Sequence, residues 1–137
     1  MRRVREATGL PLLEHVSTPA QAIRYAQARA VDVFNVSCVG CGGIFRAKKV
    51  LAVAEATGTP CLLGSTVELG IGTAAQLHLA ASSPAVTWPS DLVGPLVYTS
   101  DVVMEPWRWR DGRLGVPTGV GLGVTLDPEA VDALRSS

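Results

Sequence analysis

The spacing of the three cysteines could support thiol redox chemistry or zinc binding. Cys38 and Cys41 form a Cys-x-x-Cys pair, which is typical of thiol redox proteins and of zinc sites. Zinc normally takes four ligands. The third cysteine, Cys61, begins one predicted strand, whereas Cys38 ends its neighbour. At about 3.3 Å per residue this offset separates them by roughly 10 Å or more. The pattern therefore disfavours a shared zinc site and leaves a thiol switch as an alternative.

The glycine-rich stretch and the histidines do not indicate a catalytic or nucleotide site. The glycine-rich stretch from Gly119 to Gly123 is not a strand-to-helix phosphate loop with a lysine, so it does not indicate a nucleotide site. The two histidines are His15 and His78. His78 falls in the middle of a predicted helix between Leu77 and Leu79, where we expect a structural role.

Composition excludes several classes of partner. Twelve basic and twelve acidic residues among 137 give a formal net charge of zero, and no basic stripe is present to attract nucleic acid. Apolar runs such as Val50 to Ala54 are far shorter than the roughly 20 residues that span a membrane. Charges at Arg5 and Glu6 interrupt the place of a signal-peptide core. The odd cysteine count favours free thiols in a reducing compartment. We expect a soluble cytoplasmic protein.

The order of the predicted elements indicates an α/β fold. Short apolar or β-branched runs alternate with stretches of helical composition. Because parallel neighbours need long connections and helices must cover the sheet, this order predicts a parallel sheet with right-handed crossovers, or half a barrel. The strands are expected at residues 10–13, 31–36, 61–63 and 85–88, and the helices at 1–8, 20–29, 44–57 and 70–81.

The pattern changes after Gly94-Pro95. Asp111-Gly112, a dipeptide favoured in tight hairpin turns, stands between two short apolar runs. Asp127-Pro128-Glu129 then predicts the start of a last helix. We expect a half-barrel domain over residues 1–95, followed by a hairpin and C-terminal tail over residues 96–137.

Several segments succeed one another in the order and at the spacing of one enzyme family. They are Val33-Phe34-Asn35-Val36 to Gly42-Gly43-Ile44, Gly64-Ser65-Thr66-Val67-Glu68 with Gly70-Ile71-Gly72-Thr73-Ala74, Trp88 to Pro95, and Val116-Pro117-Thr118-Gly119 with Gly121-Leu122-Gly123-Val124. On these segments, which cover nearly the whole chain, the sequence resembles the enolase superfamily, in particular its muconate-cycloisomerase and mandelate-racemase branch. The resemblance implies an α/β fold class: the C-terminal half, strands five to eight, of a TIM-type barrel, plus the tail that packs on the barrel and capping domain.

The resemblance also implies a chemistry. Such enzymes bind a divalent metal, usually magnesium, through three acids on consecutive strands, and they stabilise an enolate at the carboxyl ends of the barrel strands. By that likeness the chain begins in the helix before the fifth strand. The first four strands, the catalytic lysines of strand two and two metal ligands are then expected outside it. Magnesium and a small carboxylate substrate are implied for the complete enzyme.

Four residues fall where the resemblance places function. Ser37 replaces the lysine base of the sixth strand, two residues after Asn35, and a neutral serine cannot replace that base unaided. Glu14 is the one carboxylate at the end of the fifth strand and the candidate metal ligand, although a single carboxylate makes a weak magnesium site. Glu68 and Asp91 follow the seventh and eighth strands, where they could meet at one barrel mouth as a general acid or a substrate contact.

Three functions stay open. The first is an enolase-superfamily isomerase or lyase of which this chain is the C-terminal part, inactive alone. The second is a non-catalytic half-barrel that forms a homo-oligomer or pairs with a partner chain, because its outer strands would otherwise be open edges. The third is a redox protein that depends on Cys38 and Cys41.

Overall fold

The computed structural model describes residues 1–135. Its main sheet has three parallel strands, β1 (Leu13–His15), β2 (Val33–Val36) and β3 (Cys61–Leu63), in that order. The remaining elements are α1 (Arg2–Thr8), α2 (Pro19–Ala28), α3 (Cys38–Cys41), α4 (Ile44–Thr57), α5 (Gly70–Ala81), α6 (Gly94–Val97), β4 (Trp109–Arg110), β5 (Arg113–Leu114) and α7 (Pro128–Arg135). The alternation of strands with α2, α4 and α5 confirms the predicted α/β order.

The helices begin and end where local chemistry predicts. The hydroxyl of Thr18 accepts a hydrogen bond from the Gln21 N–H at 3.2 Å and caps α2, and Pro19 occupies the first helical position, where its missing N–H costs nothing. Gly58 ends α4 in the left-handed conformation, with φ of 67°. Such a backbone favours glycine because it has no Cβ.

Two strand predictions need correction. The first strand lies at Leu13–His15 and not at residues 10–13, because Pro11 has no donor and the N–H of Leu12 donates to the Asp32 carboxylate at 2.8 Å. The strand expected at 85–88 is reduced to a single bridge between Cys61 and Val86. The chain runs beside β3 as predicted, but the ladder there is one residue pair long.

The two faces of the sheet have different neighbours. Phe34 and Val36 of β2 are fully buried in the core between sheet and helices, together with Ala47, Val50 and Leu51 of α4. Because side chains alternate along a strand, Asn35 and Ser37 face the opposite, concave side. That side corresponds to the interior of a barrel.

The C-terminal segment packs onto this half-barrel. The predicted hairpin is present as β4 and β5, and its turn residues Asp111 and Gly112 both have positive φ, 50° and 71°. His78 of α5 is hydrogen-bonded to the carbonyl of Leu122 at 3.1 Å, a structural contact. The division at residue 95 stays a prediction. Within residues 1–135, no helix has both the length and the apolar character required to cross a membrane.

Candidate functional site

The candidate site lies where the parallel strands end. β2 leads directly into Ser37, and β3 leads into Gly64 and Ser65. The segment beside β3 leads from Val86 to Asp91, whose N–H donates to the carbonyl of Leu63, the last residue of β3, at 3.2 Å. Carboxyl ends of parallel strands meet at one edge of a sheet, which is where barrel enzymes have their active sites.

Ser65 joins the two predicted acids. Its backbone N–H donates to Asp91 Oδ1 at 3.0 Å, and its hydroxyl donates to Glu68 Oε2 at 2.7 Å. Sequence reasoning places Glu68 and Asp91 at one mouth, and the structure brings both within one hydrogen bond of the same residue. Their catalytic roles stay predictions. The part of Ser65 was not anticipated, since a loop serine gives no distinctive signal.

The Glu68 carboxylate is held in its ionised form. Its Oε1 accepts hydrogen bonds from the N–H and hydroxyl of Thr66, at 3.0 and 2.9 Å, and from Gln76 Nε2 at 3.2 Å. Partial burial acts to raise the pKa of Glu68, but hydrogen bonds from the Ser65 hydroxyl and from Thr66 outweigh it and lower the pKa. At neutral pH Glu68 is therefore an anion, a form that accepts protons and does not donate them.

The backbone around Glu68 is unusual. Val67 has φ of 64°, a left-handed conformation that costs a β-branched residue about 1–3 kcal/mol. The loop is held by the Ser65 hydroxyl, which accepts from the Val67 N–H at 2.9 Å, and by the Tyr98 hydroxyl, which donates to the Val67 carbonyl at 3.0 Å. A Cβ at Gly94 would overlap the carbonyl of Glu68. The position of Glu68 thus depends on its own loop and on the segment from Gly94 to Tyr98.

Ser37 serves the backbone of its own loop. The residue is buried, and its hydroxyl accepts from the Gly40 N–H at 3.1 Å as the cap of α3. A serine acts as a nucleophile or base only when a neighbouring base activates it. Among the hydrogen bonds of residues 1–135, none joins the Ser37 hydroxyl to a histidine, lysine or carboxylate. The catalytic assignment of Ser37 stays a prediction without a visible activating group.

Glu14 covers the edge of its own strand. Its Oε1 accepts from the N–H of His15 at 3.0 Å, and Gln21 Nε2 donates to the carbonyl of His15 at 3.1 Å. Both groups of His15 lie on the outer side of β1, because alternate residues of β1 bond to β2. Glu14 is paired with Phe34 and shares its core-facing side, whereas His15 is paired with Asn35 on the concave face.

The residues present do not fit a magnesium site by themselves. Magnesium requires near-octahedral oxygen ligands, usually one or two carboxylates with water and substrate oxygens. In the described part of the chain, no group of three or more histidine, cysteine, aspartate or glutamate side chains could hold a metal ion. Glu14 as a metal ligand stays a prediction, and any magnesium site needs ligands from beyond these residues.

Two buried amides were missed by sequence reasoning. Asn35 is 8% exposed, and its Oδ1, which lies against Gly64, has no hydrogen-bond partner among the described residues. Gln76 is 0% exposed, and it contacts Glu68, Gly64 and Cys38. A signal for Gln76 existed: it is the one amide, at a core-facing position, of a mainly apolar helix.

The cysteines are free, buried thiols. Burial raises the pKa of Cys38 to about 11 and that of Cys61 to about 12, and it also raises the pKa of Cys41. Reactive cysteines require the thiolate, which forms where the pKa is lowered. The thiols are protonated at neutral pH, which argues against a redox role for Cys38 and Cys41.

Comparison with known proteins identifies the family. The model of the enolase C-terminal domain-like family matches residues 1–130. The chain belongs to this family. Muconate cycloisomerase 1 of Rhodococcus opacus is 38% identical over 118 residues, which cover 86% of this chain and 32% of that protein. Chloromuconate cycloisomerase of Cupriavidus pinatubonensis is 37% identical over 133 residues, covering 96% of this chain and 36% of that protein.

Solved structures of similar proteins support the same fold. The 2-chloromuconate cycloisomerase from Rhodococcus opacus superposes with a TM-score of 0.91 at 34% identity, covering 96% of this chain and 36% of that one. The L-Ala-D/L-Glu epimerase from Bacillus subtilis superposes with a TM-score of 0.82 at 34% identity, covering 90% and 34%. The predicted family and the partial α/β barrel are confirmed. The chain spans about a third of the length of these relatives.

Proposed function

We propose that this chain is the C-terminal barrel portion of a muconate-cycloisomerase-like isomerase or lyase that acts by enolate chemistry on a small carboxylate. The proposal rests on one arrangement: Glu68, which follows β3, and Asp91, which follows the bridged segment beside it, are both bonded to Ser65 at the carboxyl edge of a family-typical half-barrel. Sequence identity with muconate and chloromuconate cycloisomerases supports a carboxylate substrate.

This chain supplies only some of the groups that the proposed reaction needs. Glu68 offers a fixed carboxylate at the barrel mouth. Ser37, whose hydroxyl accepts from the Gly40 N–H, offers no base at the position of the family lysine. Removal of a proton beside a carboxylate needs a base and stabilisation of the developing enolate charge. Glu68 can accept a proton at the barrel mouth, but the lysine base and the groups that stabilise the enolate must come from residues outside the described ones, so the chain alone is expected to be inactive.

The absence of a base at Ser37 also selects among reactions. Epimerisation by two bases requires one on each face of the substrate, whereas cycloisomerisation or syn elimination can use a single base on the opposite face. We therefore favour one-base chemistry for the complete enzyme. A lysine at position 37 is the change that would restore a second base.

A chimera tests this function. The chain replaces the corresponding C-terminal third of muconate cycloisomerase 1 from Rhodococcus opacus, and lactonisation of muconate is measured with magnesium. We expect no turnover by the 137-residue chain alone, turnover by the chimera, and a loss of about 10²-fold or more in its Glu68→Gln variant. Turnover by the isolated chain would refute the proposal. So would a folded chimera that is inactive both with Ser37 and with Ser37→Lys.

A non-catalytic half-barrel is the second candidate. One observation favours it: β1 pairs with β2 on one side, and no other described strand pairs with its outer side, beside which Leu10 and Leu13 are 65% and 39% exposed. Such an edge can pair with a second copy or with a partner chain. Light scattering followed by magnesium titration calorimetry separates the candidates, because a stable dimer that binds no magnesium supports the non-catalytic one.

A further inference from the structure

Gln76 has an unusual place for an amide. It lies in the middle of α5 with none of its surface exposed. Its Oε1 accepts from the Cys38 N–H at 3.1 Å, and its Nε2 donates to the Gly64 carbonyl at 2.8 Å and to Glu68 Oε1 at 3.2 Å. A buried amide without partners destabilises a fold, because its lost hydrogen bonds to water are not replaced. Here one partner donates and two accept, so the neighbours determine the orientation of the amide.

The three partners belong to different parts of the site. Cys38 directly follows Ser37 at the end of β2, Gly64 directly follows β3, and Glu68 lies in the loop after it. One side chain therefore connects the ends of two neighbouring strands with the carboxylate that the proposed function requires. The link passes through the core and not through the exposed loop.

The other donors to the Glu68 carboxylate differ from Gln76 in origin. Ser65 and Thr66 belong to the same loop as Glu68, so their hydrogen bonds to its carboxylate are local to that loop. Gln76 belongs to a helix packed in the core. Within the described residues, it is the donor that ties this carboxylate to the rigid part of the fold.

We propose that Gln76 is a positioning residue that fixes the Glu68 carboxylate relative to the Ser37 end of β2. This inference rests on the proposed function, in which Glu68 meets the substrate. A carboxylate loses proton-transfer and binding efficiency when its geometry is relaxed by a fraction of an ångström. Gln76 therefore acts on the reaction through Glu68, without touching the substrate.

Nuclear magnetic resonance on the unmodified chain gives the first test. The Glu68 carboxyl carbon and the Gln76 side-chain amide are followed while the pH is lowered from neutrality to well below about 4.3, the ordinary pKa of a glutamate, because the pKa of Glu68 is lowered. If the two are hydrogen-bonded, both signals change with one common midpoint. A Gln76 amide that does not respond to the protonation of Glu68 overturns the proposal, and no mutation is needed to reach that result.

A variant gives the second test. Gln76→Met keeps the side-chain length and removes the donor, so we expect the Glu68 midpoint to rise and the Cys38 N–H to exchange faster with solvent. The matched control is Ser83→Ala near the end of α5, a buried hydroxyl that donates to the Leu79 carbonyl at 2.6 Å. It should leave the Glu68 midpoint unchanged. An unchanged midpoint in folded Gln76→Met overturns the proposal; if that variant does not fold, the titration of the unmodified chain decides.

The two proposals fail in distinguishable ways. Neither resonance experiment uses turnover, so an inactive chimera with a coupled Gln76 and Glu68 titration would refute the proposed function and leave the contact intact. In an active chimera, Gln76→Met should lower kcat more than it changes KM, because positioning acts on the reacting geometry. Equal kcat in the chimera and in its Gln76→Met variant would refute the positioning role and leave the proposed function standing.

Discussion

Asp101 caps the helix that carries Gln76. Its Oδ1 accepts from the N–H of Gly70, the first residue of α5, at 2.8 Å, and its Oδ2 accepts from Trp107 Nε1 at 3.1 Å. A carboxylate at a helix N-terminus satisfies an unpaired donor and interacts favourably with the helix dipole. One side chain of the C-terminal segment thus stabilises the start of a barrel helix.

Removal of this cap should destabilise the whole chain. We expect Asp101→Ala to lower the free energy of unfolding by about 1–2 kcal/mol, the usual cost of losing a side-chain cap. Unfolding in urea measures the change. Glu55→Ala, at an exposed position of α4, is the control and should stay within about 0.5 kcal/mol of the parent. A similar loss of unfolding free energy in both variants would show that the Asp101 cap does not stabilise the chain.

Acid should weaken the attachment of α1. Arg5 Nε donates to Asp32 Oδ1 at 2.7 Å, and this bond, with that from the Leu12 N–H, lowers the pKa of Asp32. The resulting stabilisation is fully present above the unfolded-state pKa of about 3.9 and is lost as the pH falls through the lower folded-state pKa. We expect Asp32→Asn to flatten the acid limb of the stability curve, measured by thermal unfolding. An acid limb as steep as that of the parent would contradict this.

The buried thiols should be unreactive in the folded chain. A raised pKa means that the folded state favours the neutral thiol, so this contribution is present below the unfolded-state value of about 8.5 and is lost as the pH rises through the folded-state value. For Cys38 that folded-state value is about 11. Ellman's reagent at neutral pH should modify Cys38, Cys41 and Cys61 slowly in buffer and rapidly in urea. Fast labelling of Cys38 or Cys41 in the folded chain would revive the redox hypothesis.

Relief of backbone strain should stabilise the loop that carries Glu68. Val67→Gly removes the Cβ from a left-handed residue, which stabilises the fold by about 1–2 kcal/mol. Glycine also raises the entropy of the unfolded state, which destabilises the fold by about 0.5–1 kcal/mol. We expect a net gain of up to about 1.5 kcal/mol in urea unfolding. Val116 is the matched control, since the two valines are 37% and 38% exposed and Val116 has no positive φ. Val116→Gly should destabilise, and loss of stability in both variants would contradict the strain argument.

Local features of the fold could be predicted from sequence. The cap at Thr18-Pro19, the glycine stop at Gly58 and the turn at Asp111-Gly112 act within a few residues, so their patterns identify helix ends and a hairpin. The location of Glu68 and Asp91 at one edge of the sheet, each hydrogen-bonded to Ser65, also agrees with the family resemblance and with the geometry of parallel strands.

Contacts between distant segments could not be predicted. Gln76 meets Cys38 across 38 residues, and Asp101 meets Gly70 across 31. No periodicity specifies which buried donor a side chain will reach after folding. The displacement of β1 had a similar cause, because the Asp32 carboxylate binds the N–H of Leu12 from a segment that follows it by 20 residues.

The side chains that cover the outer edge of β1 affect how this chain can associate. Glu14 and Gln21 already bond the N–H and C=O of His15, so an incoming strand must displace both before it can pair there. Such pairing exchanges existing hydrogen bonds for new ones, and the net gain is small unless apolar surface is buried at the same time. The edge of β1 therefore selects among incoming strands. A random extended peptide gains little binding free energy from pairing there, whereas a strand that also covers Leu13 and the concave face gains enough to displace the two side chains.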